Sequence, residues 1–179
     1  MKLITIIAIL AAVELFDVRS FAGTPSETVL VATIQSRTNL VRVTQKPIQM
    51  ASWISLLCTL PTPKQIEAEK SNPHQRFVHV YVNTAGTNAM AVQKMVFPVG
   101  TLILKEKFAD STGTKTELFT GMVKQEAGYN PGCGDWEFFT ADANGKKITS
   151  RGKLTSCMDC HEGYKASDFV SHKYLMNSK

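Results

Sequence analysis

From residue 76 onward the chain repeats one device, a short run of alternating side chains followed by a turn, and this limits the folds open to it. RFVHVYVN sets Phe77, His79 and Tyr81 on one face and Val78, Val80 and Val82 on the other, the period of a β-strand over 77–83. TLILKEKF, KTELFTGMVKQ, DWEFFTAD and KKITS continue the theme, separated by the turn FPVG, the turn-rich GYNPGCG and the dipeptide Asn144-Gly145. That dipeptide predicts a tight type I′ hairpin. Consecutive strands joined by short turns pair antiparallel. The expected fold class is therefore α+β, mainly an antiparallel β-sheet meander with a few packed helices.

Upstream the pattern is weaker. Residues 28–43 alternate loosely and are predicted to contain a strand, and TAGTNAMAVQKM predicts a short helix. IQMASWISLLCTL brings Ile48, Trp53, Ile54, Leu57 and Cys58 round at roughly helical spacing, which predicts an amphipathic helix ended by Pro61 and Pro63. The polar, proline-flanked stretch 62–75 reads as a loop or a short exposed helix.

The first residues, MKLITIIAILAAVELFDVRSFAG, combine basic Lys2, an apolar run over 3–13 and a small-x-small Ser20-Phe21-Ala22. This predicts a Sec-type signal peptide over 1–22, ahead of a single domain over 23–179, export to the periplasm and no membrane attachment after cleavage. The run is shorter than the roughly 20 residues a spanning helix needs, and Glu14 and Asp17 interrupt its continuation. At 179 residues the chain can bury one core, and 44% apolar with 20% charged residues excludes disorder and a multi-span protein. The net charge of +5 is not gathered into a Lys/Arg run, so no nucleic-acid partner is expected.

The chemistry concentrates in CMDCH, residues 157–161. Zinc requires four ligands, usually as two spaced pairs, and the second pair would come from distant cysteines or histidines. A thioredoxin-like dithiol belongs early in a βαβ unit, whereas this motif follows an antiparallel pattern. A plain disulfide leaves the histidine unexplained. Covalent c-type haem accounts for every position: Cys157 and Cys160 form thioethers to the two vinyl groups and His161 becomes the proximal iron ligand. One haem c per chain is expected. In an oxidising compartment the remaining cysteines, Cys58 and Cys133, are expected to pair as a disulfide. Met122, Met176, His79 and His172 are candidates for a sixth ligand, although each residue type more often packs than ligates, so an open or weakly held sixth site is favoured.

RFVHVYVNTAG, FPVGTLILKEKF, GMVKQEAGYNPGCGDWEFF and terminal CMDCH followed by SDFV resemble, in that order, the cytochrome P-460 and cytochrome c′-beta family. The resemblance covers most of the chain from Arg76 and implies a cytochrome P-460-like haem domain, usually a homodimer, with histidine-ligated iron and an open distal side. Two functions share that fold. One branch oxidises hydroxylamine and carries a lysine cross-linked to the haem; its FxxGTxxxK pattern falls on Lys105 here. The other lacks the link and binds nitric oxide at an apolar distal face capped by phenylalanine, for which Phe77, Phe97 and Phe108 are the candidates. Without the resemblance, Lys105 is a solvated strand lysine and the phenylalanines are core. The enzyme branch implies a glutamate beside the DFV segment, where this chain has Ala166 and Ser167, and a strand arginine, where Arg76 lies just outside.

The expected function is thus an exported mono-haem protein that binds nitric oxide or a related small nitrogen species, with hydroxylamine oxidation and periplasmic electron transfer to a redox partner as the alternatives. No catalytic residue is assigned. Trp136 is expected to pack, Asp135 and Glu137 to be strand-end charges, and Asp168 to bond His161 or cap a helix.

Overall fold

The computed structural model of the chain describes residues 24–50, 76–92 and 96–172. Among these residues seven strands form one antiparallel sheet: β1 (Leu40–Arg42), β2 (Ile48–Met50), β3 (Arg76–Asn83), β4 (Leu102–Phe108), β5 (Thr116–Lys124), β6 (Trp136–Ala141) and β7 (Ile148–Gly152). The order is β1-β3-β4-β5-β6-β7, and β2 pairs with β3 beyond the end of β1. Among the described residues three α-helices accompany it: α1 (Glu27–Ser36), α2 (Thr87–Ala91) and α3 (Thr155–Glu162). The meander expected from the alternating runs is present, strand for strand from β3 to β7.

Register sorts the side chains into two layers. One row runs Val82, Ile103, Met122, Phe138 and the next runs Val80, Lys105, Thr120, Thr140, Ser150, all on one face. The opposite face carries Tyr81, Leu104, Gly121 and Phe139, then His79, Glu106, Phe119 and Ala141. Each face anchors a core. The first gathers Val78, Val80 and Val82 with Met90, Phe97, Trp136 and Phe169; the second gathers Leu102, Leu104, Phe119 and Phe139 with Leu30 and Ile34 of α1.

Two local expectations are corrected and one is narrowed. The strand expected within residues 28–43 is present as β1, while Glu27–Ser36 ahead of it is helical: Ser26 caps the N-terminus by accepting from the Val29 N–H, Glu27 suits the first turn, and Leu30 and Ile34, one turn apart, are buried. Burying those two side chains is worth about 1.5–3 kcal/mol each and outweighs the β-branched composition of the segment. Residues 48–50 pair with β3 as a strand instead of starting a helix; the remainder of that expected helix lies outside the described residues. The β6–β7 turn is not type I′, because Asn144 is absent from the positive-φ residues and only Gly145 takes φ 65°. The Asp142 carboxylate there accepts from the N–H groups of Lys146 and Lys147, which holds a longer loop closed by the Asp142 N–H to Lys147 carbonyl bond. The expected signal peptide lies outside the described residues, and no helix among the described residues is long and apolar enough to cross a membrane.

Candidate functional site

A cavity of about 310 Å³ opens between the first face of the sheet and α3. Its size falls in the range of small-molecule and cofactor sites. Val78, Ile103, Met122 and Phe138 give it an apolar floor; Lys105, Lys107, Thr120 and Ser150 add polar groups, and Cys157, Cys160 and His161 line it from α3. Alternation along β4 explains the two lysines: Ile103, Lys105 and Lys107 share the cavity face, while Leu102, Leu104, Glu106 and Phe108 point away.

Helix α3 presents the motif. Its first turn is set by the Leu154 carbonyl, which accepts from the N–H groups of Cys157 and Met158 at 2.9 and 3.0 Å. A spacing of three residues stacks Cys157 and Cys160 on one helical face, and His161 follows. Its Nδ1 lies 2.6 Å from the Phe169 carbonyl. A carbonyl can only accept, so Nδ1 carries the proton and the lone pair falls on Nε2. The ring tilts against Phe138, centroids 5.1 Å apart. Burial first, and then the nearby charge of Lys105, push the His161 pKa down to about 4, with the Phe169 carbonyl opposing. The imidazole is therefore neutral near neutral pH, the form that binds metal.

The donor set fits haem. Two cysteines one turn apart, a neutral histidine with its second nitrogen held by a carbonyl, and an apolar floor are what covalent attachment and axial ligation require.

The other expected site residues divide. Lys105 and Met122 line the cavity. Phe77 and Phe108 pair on the opposite face of the sheet, where Phe108 meets the His79 ring at 5.5 Å. Phe97 packs on Trp136, 5.5 Å between centroids, and does not line the cavity. Reading the cap from aromatics alone could not say which face they would occupy; among the described residues Phe138 is the phenylalanine whose ring faces His161. His79 binds Thr44 Oγ1 at 2.9 Å on the far face and His172 packs against Phe97, so neither reaches the cavity lining. Met176 and Cys58 lie outside the described residues, and Cys133 is a buried free thiol whose pKa burial raises to about 11.

Sequence reasoning missed Lys107, Thr120 and Phe138. Two smaller expectations are corrected: Glu137 is buried, held by Arg151 at 2.9 Å and Gln125 at 2.8 Å, and the Asp168 carboxylate bonds neither His161 nor a helix N-terminus but pairs with Lys124 at 2.7 Å, while its backbone caps the C-terminal end of the short 3-10 turn Lys165–Ser167. Trp136 packs as expected, fully buried. A family model described as Cytochrome P460 matches residues 61–172. No curated protein matches the chain.

Proposed function

The chain belongs to the cytochrome P460 family, which implies a haem cofactor, and from that premise we propose an exported mono-haem protein that binds nitric oxide or a related small nitrogen species. Cys157 and Cys160 hold the haem covalently, one per chain, and His161 ligates the iron through Nε2. The observation that carries this reading is the His161 Nδ1 bond to the Phe169 carbonyl, which fixes the tautomer and holds the ring in the lining of a cavity with an apolar floor. When bound, the haem would supply an iron able to take a diatomic ligand.

The chain's own residues do the rest. Val78, Ile103, Met122 and Phe138 keep the cavity floor apolar, which favours a neutral diatomic over a ligand that must be hydrogen-bonded there. The nearest acid on β4, Glu106, is turned to the other face, where it accepts from Tyr81 at 3.0 Å and Thr116 at 2.8 Å. That leaves Glu106 out of reach as a proton acceptor for hydroxylamine oxidation. Export to the periplasm, a homodimer and exchange with a periplasmic redox partner belong to the same proposal.

A second reading rests on one observation. Lys105 lines the same cavity as Cys157, Cys160 and His161, which favours a lysine-haem link and the hydroxylamine-oxidising activity that goes with it. The ferrous spectrum with and without nitric oxide separates them. A five-coordinate spectrum that shifts with nitric oxide is expected. A ferrous Soret band moved far to the red, toward the wavelength in the family's name, would instead establish the link. Sharp low-spin bands indifferent to the gas would mean electron transfer.

A further inference from the structure

The segment that follows α3 carries two consecutive non-glycine residues in the left-handed region, Asp168 at φ 53° and Phe169 at φ 61°. Such conformations persist only where the surroundings over-determine them. Here they do. Lys124 Nζ donates to both carboxylate oxygens of Asp168 at 2.7 Å and to the Gly134 carbonyl at 2.6 Å, and the pair is more than nine-tenths buried. The Phe97 N–H donates to the same carboxylate at 2.8 Å, and the Trp136 indole N–H donates to the Asp168 carbonyl at 2.8 Å. The ammonium also lies over the Trp136 ring, 5.1 Å from its centroid. Every donor of Lys124 is used, and the turn is clamped from the ends of β5 and β6.

The next residue is the one that matters. Phe169 returns its N–H to the Tyr164 carbonyl at 2.9 Å and offers its own carbonyl to His161 Nδ1. A buried ion pair is by itself a poor source of stability, since desolvation of both charges offsets their attraction. Its consequence here is geometric.

We propose that Lys124 and Asp168 are positioning residues for His161: their buried pair locks the 168–169 turn so that the Phe169 carbonyl stays aligned with Nδ1, which sets how strongly the imidazole donates to iron. This rests on His161 being the axial ligand. A firm Nδ1–H to carbonyl bond raises the basicity of the other nitrogen and stabilises the ferric state, so loosening the turn raises the reduction potential and weakens the iron–histidine bond. Neither residue lines the cavity, so neither acts by touching the haem.

The test uses the haem-loaded protein with Asp168→Asn and Asp168→Ala. Asparagine tolerates the left-handed backbone and still accepts from Phe97 and Lys124, so that variant folds and keeps the question open even where alanine does not. The expected result is graded: the potential rises and the iron–histidine stretching frequency in resonance Raman falls, slightly in the asparagine variant and further in the alanine variant. Unchanged potential and unchanged stretch in the variants, whatever happens to their melting temperature, would overturn the proposal. His161→Gly is the control for the reading beneath: a loaded His161→Gly protein with the parent spectrum would remove the ligand assignment, and this inference with it.

Discussion

His79 shows a charge state set by surroundings rather than by residue type. Burial first, with the charge of Arg42 adding and that of Glu106 opposing, holds its pKa below the ordinary 6.5. The unfolded chain then takes up a proton at a pH where the folded chain does not, so stability is full above pH 6.5 and drains away as pH falls toward the folded value. His172, also lowered by burial, contributes with the same sign. Replacing His79 by asparagine is expected to flatten the fall in melting temperature between about pH 7 and 5, read by circular dichroism, at some cost in stability from the lost Thr44 contact. An unchanged slope would mean that His79 is protonated equally in both states. Residues of this kind divide by how local their signal is. Consecutive spacing singled out Cys157, Cys160 and His161, and a motif singled out Lys105; all four line the same cavity. Phe138 and Lys107 were not legible, since which side of a strand faces a cavity is decided by pairing with strands far away in sequence. Phe77 and Phe108 were placed on the wrong side for the same reason.

At the scale of elements, β3 to β7 were legible because a two-residue period survives wherever one face is buried, and short turns leave little choice of topology. Less legible were segments whose state depends on a distant surface: the strand expected within 28–43 is confined to β1, and the helix expected from residue 48 does not start there. Residues 28–36 become a helix because Leu30 and Ile34 have the core over β4 to β6 to cover, and 48–50 become a strand because the edge of β3 is there to pair. The β5–β6 ladder carries its own constraint at Gly121, opposite Phe139. A Cβ there would run into the Phe139 ring and stand 2.9 Å from the Ile103 carbonyl, which belongs to the ladder and cannot yield. Gly121→Ala is therefore expected to destabilise by about 1–3 kcal/mol through overpacking. Urea unfolding checks it, and a change under about half a kcal/mol would show that the ring simply moves aside.

For the whole molecule, the architecture divides its work between the two faces of one sheet. The face under α1 is sealed by Leu30, Ile34 and Phe119, and it holds the Arg37–Glu106 ion pair at 2.9 Å away from the cavity. The other face keeps a cavity between Ile103, Met122 and Phe138 and the cysteine-bearing helix. Sealing one side lets the other stay open without loss of the core. The family and its haem were legible from ordered motifs; the arrangement that grips His161 was not, because Lys124, Trp136 and Asp168 meet only in three dimensions. The most direct test of the account is the intact mass of the denatured mature chain from cells that assemble c-type cytochromes, compared with its Cys157→Ser, Cys160→Ser counterpart. The account predicts a parent chain heavier by one haem and a double variant at the mass of the polypeptide alone; a parent at bare polypeptide mass, or haem retained by the double variant after denaturation, would contradict it.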